Sequence, residues 1–389
     1  MILSNQLKPH FRRKNKKETI IMLIFLFIII PILNGQDTVF IVPGSNYSYG
    51  KASNKTILVS WSMVSWKENT TYLQKRGTID TIKIPIVPTK NNIKIGSYGE
   101  GRKAIIYYTG FKHTIDLANL QNVTIQNLEI KSPRATSCIR GRGKNSNNIL
   151  IDSLILMNSE WGIRLIDNWS GIKILYTKIF GTGDDGIYTK GVNEIEIGHC
   201  QIYDVNKKYL INKDESYSGG DCIQISSTCS GVNIHDNVLD HSSTGNKFCI
   251  IVESDGDDNC IIENNTFIGS FENHSLIYLK GTSRGIIIKN NVFKDAGHHA
   301  IYSHEIDHHL QINNNKFLNI KLSAIKFPGS SNKAVIKYNA FYNCPNPIDI
   351  KDGNAIVTNN IFFAPPLKSN SINAPSDSVI QEPNLFYNL

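Results

Sequence analysis

Asp184, Asp185 and Asp221 are the residues whose type and spacing could do chemistry in this chain. The first two stand in Gly181-Thr-Gly-Asp-Asp-Gly186 and the third in Gly219-Gly-Asp-Cys-Ile-Gln-Ile225. Each acidic pocket of sequence lies just ahead of an apolar-alternating run, one beginning at Ile187 and the other at Ile223. If those runs stack, Asp185 and Asp221 become neighbours. Carboxylates that close repel, so one takes up a proton or a cation is drawn in. The first outcome suits general acid–base work, and the second would hold the cation between the two coils. An isolated Asp before Gly is ordinary turn chemistry. Two in register are a site signature.

What must position them is a repeat. Ile125, Ile151, Ile174, Ile197, Ile234, Ile262, Ile288, Ile312, Ile336 and Val357 each centre a short apolar-alternating run. Their spacings run from 21 to 28 residues, apart from one gap of 37 that holds an insertion from Asn206 to Gly219. A second series, Ile139, Ile163, Ile187, Ile223, Ile250, Ile277, Ile301, Ile325 and Ile348, keeps the same step and the same long gap. Three residues after the first series stand Asn237, Asn265, Asn291, Asn315, Asn339 and Asn360; two further on stand Leu239 and then Phe267, Phe293, Phe317, Phe341 and Phe362. Such a period is that of a solenoid, in which equivalent side chains lie about 4.8 Å apart and can form amide ladders and ring stacks. The expected fold is all-β, a right-handed parallel β-helix of about ten or more coils with an N-terminal cap. Residues 36–120 are expected to form the cap and first coils, 121–363 the repeats, and 364–389, with its four prolines, a C-terminal tail or cap.

On a strand, alternate side chains face opposite ways. The second-series Ile and the residue two places on are apolar and point inward. The residues one and three places on then face solvent, and they read as a stripe of Arg, Lys and Tyr: Arg140 and Arg142, Arg164, Tyr188 and Lys190, Gln224, Glu253, Tyr278 and Lys280, Tyr302 and His304. Arg grips planar anions with two nitrogens and Tyr offers a ring face to a sugar, so the stripe suits an extended acidic polysaccharide. Nucleic acid would use similar groups. Residues 1–35, however, hold six Lys/Arg and one Glu, which leaves only +3 of the overall +8 for the remainder. That balance argues against a nucleic-acid partner. The same residues 1–35 show a basic segment, the apolar run Ile20–Leu33 and a polar turn at Asn34-Gly35-Gln36, the order of a signal peptide. The chain is therefore expected to be secreted, periplasmic or at the cell surface, with membrane attachment only if that segment stays uncleaved. Seven cysteines without a CxxC pair are read as small buried core residues.

These residues resemble the pectin-lyase-like superfamily of parallel β-helices over the whole chain beyond the leader. The Gly-Asp-Asp-Gly-Ile and Gly-Gly-Asp-Cys-Ile-Gln-Ile segments are similar to the two acidic motifs of polygalacturonase-type glycoside hydrolases. That resemblance implies Asp185 and Asp221 as an acid–base pair. The chain departs from the motif at Gly220, where the family has an acid, at Phe248, where it has His, and at Tyr278-Leu279-Lys280, where it has Arg-Ile-Lys. The acids also resemble the calcium sites of β-helix polysaccharide lyases. That likeness implies Asp184, Asp185 and Asp221 as Ca²⁺ ligands, no other cofactor, and Lys280 or Lys190 as the base of a β-elimination, with Lys247, Arg164 and Arg284 as further bases or substrate clamps. The leading expectation is an acidic-polysaccharide lyase. A hydrolase, a uronate epimerase and a non-catalytic carbohydrate-binding or adhesion helix are the competitors.

Overall fold

The computed structural model describes residues 37–44, 50–52, 55–207, 220–227, 229–243, 247–253, 259–270, 274–281, 284–304, 309–363, 372–374, 379–381 and 383–387. The leader, most of the Asn206–Gly219 insertion, the Asp255, Asp257 and Asp258 turn and His308 lie outside them. Two units divide near Asp37, and everything below concerns the second, Thr38–Leu389.

The chain winds into a parallel β-helix. Its strands fall into a 23-stranded sheet and a 13-stranded sheet. Among the described residues one pairing is antiparallel, Gly50–Ala52 against Lys55–Leu58. Both apolar series stack as their spacing requires. Ile163 pairs with Ile187, Ile187 with Ile223, Ile223 with Ile250 and Ile250 with Ile277. In the other series Ile174 pairs with Ile197, Ile197 with Ile234 and Ile234 with Ile262. The 37-residue gap thus costs the stack no register. Ile163, Ile187, Ile223, Ile250 and Ile277 are completely buried, so a slip of one residue would turn every one of them to solvent.

A left-handed corner follows the first series on each coil. Asn127, Ser153, Tyr176, His199, Asp236, Asn264, Asn290, Asn314, Tyr338 and Asn359 all have φ between 49° and 57° or just above, at 58°. Asn tolerates that conformation better than other side chains with a Cβ, which is why it dominates the column. The next residue turns inward and builds the amide ladder. Oδ1 of Asn265 accepts from both N and Nδ2 of Asn237, and Oδ1 of Asn291 accepts from both nitrogens of Asn265. Each Nδ2 also donates to an Ile carbonyl, as from Asn315 to Ile288. The rings of Phe267, Phe293, Phe317, Phe341, Phe362 and Phe386 stack with centroids 4.7–5.0 Å apart. Each such pair contributes about 0.5–1.5 kcal/mol beyond its buried area.

All seven cysteines are buried and none is in a disulfide. Burial pushes the Cys200 and Cys344 thiols up to about 12, which keeps them in the unreactive protonated form. No helix among the described residues is long and apolar enough to cross a membrane.

Candidate functional site

The two acidic segments are brought together by the stack. Asp185 stands two residues before Ile187 and Asp221 two before Ile223, and those isoleucines are register partners. The same column carries Trp161 on the coil before and Phe248 on the coil after. The column one residue earlier carries Asp184, Gly220 and Lys247. Five successive coils thereby line one cleft of about 440 Å³. Its walls include Trp161, Arg164, Asp184, Asp185, Tyr188, Asp221, Gln224, Lys247, Phe248, Glu253, Tyr278 and Lys280.

Asp185 and Asp221 form its floor and are 1% and 3% exposed. Each uses one oxygen to hold the next coil. Oδ1 of Asp185 accepts from the backbone N–H of Gly220 at 3.0 Å and of Asp221 at 2.8 Å. Oδ1 of Asp221 accepts from the N–H of Phe248 at 2.9 Å. Those bonds favour the charged forms but do not prevail. Burial, then the charges of Asp221 and Asp184, hold the Asp185 carboxyl well above the usual range. Burial raises Asp221 to about 7, against the opposing pull of the Phe248 N–H and Lys247. The pair thus binds protons more tightly than ordinary aspartates do, and its titration reaches up to about 7.

Gly220, where the resembled hydrolases carry an acid, has φ +108°, and a Cβ there would lie 2.2 Å from the side chain of Asn206. This backbone has no room for a third carboxylate at that position. Fully buried His241 braces the same loop, its Nε2 2.9 Å from the Gly220 carbonyl oxygen.

The cationic wall is Arg164, Lys247 and Lys280. Arg164 lies 4.7 Å from the Trp161 ring centre and 5.8 Å from that of Tyr188. Its buried Nε has no hydrogen-bond partner among the described residues. Lys280 pairs with Glu253 at 2.5 Å. Beyond the floor an aromatic row runs through Phe248, Tyr278 and Tyr302, with ring centres 4.7 and 5.6 Å apart. Tyr302 and exposed His304 are 6.2 Å apart at its end.

Other expected site residues sit elsewhere. Lys190 is exposed and lines an adjoining pocket that shares Tyr188, Gln224 and Glu253 with the cleft and adds Ser226 and Ser227. Arg140 grips Asp116 with two nitrogens, at 2.9 and 2.6 Å, and Arg142 reaches the same carboxylate at 3.5 Å. Nor is the outward face uniformly solvated: Ile251, Ser226 and Lys326 on it are buried. The expectation that those columns must face water fails because neighbouring coils cover them, and Lys326 closes an ion pair with Asp349. Trp161 and Asp116 escaped the sequence reading, although each shares a column with a residue it singled out. A wider groove of about 750 Å³ elsewhere contains Asp295, Asn319 and Asn343. There Asn319 donates to Asp295 and Asn343 to Asn319, so those side chains already serve one another.

Similar structures agree on the architecture. The A-module of mannuronan C-5 epimerase AlgE6 from Azotobacter vinelandii superposes with a TM-score of 0.60 at 10% identity, covering 82% of this chain and 90% of that one. The PL6 family alginate lyase AlyGC gives 0.54 at 14% identity, covering 82% of this chain and 49% of that one. The catalytic domain of a GH87 α-1,3-glucanase gives 0.51 at 13%, covering 81% and 64%. The chain thus spans about half of the lyase and under two thirds of the glucanase domain. No curated protein matches it by sequence. The family model described as right handed beta helix region matches residues 106–267 and 248–364, well over half of the chain. With the coil register and both ladders in place, the chain belongs to the right handed beta helix family.

Proposed function

We propose that this protein is a polysaccharide-processing enzyme that breaks a glycosidic bond in an acidic polymer by proton transfer from the Asp185–Asp221 pair. The observation that carries this reading is the burial of two carboxyl groups on adjacent coils at the floor of a cleft, both with raised proton affinity and Asp221 raised to about 7. Hydrolysis needs a protonated acid and, across the scissile bond, a carboxylate that activates water. Arg164, Lys247 and Lys280 give the walls a cationic character that suits uronate or sulfate groups, and Trp161, Tyr188 and Tyr278 give sugar rings a surface. An epimerase, a lyase and a glucanase share the architecture, so this scaffold accommodates several reactions on polysaccharides.

The test incubates the full chain with a panel of uronate and sulfated polymers. The expected products carry new reducing ends and no near-ultraviolet absorbance, and chelator leaves the rate unchanged. Asp185→Asn and Asp221→Asn keep an oxygen for the backbone N–H groups but cannot donate a proton as an acid. Each is expected to lose about 10²–10⁴ in turnover while staying folded. Undiminished turnover in both variants sinks the proposal.

A second reading is favoured by the crowding of three carboxylates against that cationic wall. In it Asp184 and the second oxygens of Asp185 and Asp221 would hold Ca²⁺, hard donors of the kind it takes, and the bound ion would offset a uronate carboxylate. Lys280 or Lys190 would remove the neighbouring proton. Absorbing products lost on chelation would select it. We also propose export through cleavage after residue 35; N-terminal sequencing of the mature protein should then begin at Gln36.

A further inference from the structure

A second cluster of side chains lies at the far end of the long strand that leads from Tyr188. This strand, Ile187–Gly198, ends at a left-handed corner occupied by His199, and the equivalent corner of the next coil is Asp236. His235, just before it, is the register partner of Gly198. Because Gly198 has no side chain, the imidazole of His235 lies over its backbone; a Cβ there would come within 2.5 Å of the ring. One ligand atom from each of His199, His235 and Asp236 lies within 4.8 Å of the others.

His235 itself shows what the arrangement calls for. Its Nδ1 is 2.8 Å from Oδ2 of Asp236 and its Nε2 is 3.2 Å from Oε1 of Glu196. A neutral imidazole has one N–H, so it can donate to one of these carboxylates and no more. The other contact needs a second cation, a proton or a metal. Glu196 is itself anchored, its other oxygen 2.6 Å from Nζ of Lys173. A carboxylate on the far nitrogen is what fixes the tautomer of a metal-ligating histidine and aims its near nitrogen at the ion. The ring of His199 is held in turn, stacked at 4.6 Å on Tyr176 from the preceding coil.

We propose that His199, His235 and Asp236 bind a divalent transition-metal ion of the zinc type, with Glu196 orienting His235. Two imidazoles and one carboxylate suit Zn²⁺ or Co²⁺ rather than Ca²⁺, and three protein ligands leave a fourth position for water. Two of the three residues are exposed, so the ion reaches the site from solvent. The ligands come from the two coils that flank the Asn206–Gly219 insertion, at the longest step in the repeat. A bound ion clips those coils together where the chain between them is longest, and stabilises the folded form by mass action.

The experiment titrates the full chain with Zn²⁺ alone by calorimetry and with Co²⁺ alone by visible absorption. Expected are one site, intense cobalt bands of a four-coordinate ion, and a rise in the melting temperature with Zn²⁺. The double variant His199→Ala/Asp236→Asn, altered only at exposed positions, should keep its fold and lose the cobalt bands. Glu196→Gln should weaken binding by about tenfold. Cobalt bands that persist in the double variant, or the lack of any saturable site in the unaltered chain, overturn the proposal.

Discussion

The asparagine column and the aspartate column use one device for opposite ends. In both, a buried side-chain oxygen accepts backbone N–H bonds from an adjacent coil: Asn339 from Asn315, and Asp221 from Phe248. An amide also brings its own donor. Nδ2 of Asn315 reaches both Asn339 and the Ile288 carbonyl, so the ladder closes with its groups satisfied and no charge buried. A carboxylate has no donor to give. Stacked on a second carboxylate out of water, it is satisfied by taking a proton. The asparagine column is therefore inert scaffold, and the aspartate column is a place where protons are gained and lost near neutral pH. The step from Asn to Asp at a buried, stacked position separates structure from chemistry in this molecule.

The largest effects should come from breaking the inert side. Asn315→Ala takes the side-chain acceptor from the N–H of Asn291 and the amide donor from the Ile288 carbonyl, and leaves Nδ2 of Asn291 with the Ile262 carbonyl alone. With about 1–3 kcal/mol for each of these two buried groups left unsatisfied, we expect a loss of about 2–6 kcal/mol, read by denaturant or thermal unfolding. Phe317→Ala removes a completely buried ring from the middle of the stack and should cost about 3–5 kcal/mol. Asn315→Asp sharpens the comparison. It should be destabilising at pH 7 and partly recovered at pH 4, because its buried carboxyl binds a proton more tightly folded than unfolded. A pH-independent loss would mean that shape, not the missing donor, is what the ladder requires.

Next in size is the pH dependence of the reactive side. The folded chain holds the Asp221 proton up to about 7, whereas an unfolded aspartate releases it near the ordinary value of 3.8. The stabilisation this gives is fully present below about pH 4 and disappears as pH rises to about 7. The melting temperature of the natural chain should fall across that window, and the fall should be shallower in Asp221→Asn, which keeps an acceptor for the Phe248 N–H. Parallel melting curves for the two proteins would refute the raised proton affinity and remove the basis for acid catalysis.

How much of this was legible beforehand follows from what repeats. The ladders were readable because the residue types recur at the coil period, and the Asp185–Asp221 contact followed because Ile187 and Ile223 keep register across the insertion. Residues that occur once in a column were harder. Trp161 stands in the column of Asp185, two before Ile163, but a reading that traced only acids there passed over it. Asp116 lies one coil before Arg140 in the same register, ahead of where the second series was begun. The conformation of Gly220, and the reason it is not an acid, depend on its contact with Asn206 and leave no trace in composition or period.

Asp116 also sets the smallest expected effect. A stripe of free arginines would bind polymer along many coils, and Arg140→Ala would then raise KM as much as Arg164→Ala does. In the structure Arg140 is gripped on two sides by one carboxylate, whereas Arg164 is held between aromatic rings beside the acids. Removing Arg140 should therefore change KM less than about threefold, and its cost falls on stability instead, about 1–3 kcal/mol for taking that partner from the buried Asp116 carboxylate. Removing Arg164 should raise KM several times more. Equal effects of the two substitutions on KM would mean that substrate displaces Asp116 from Arg140, and that the binding surface runs at least one coil beyond the cleft built around Asp185 and Asp221.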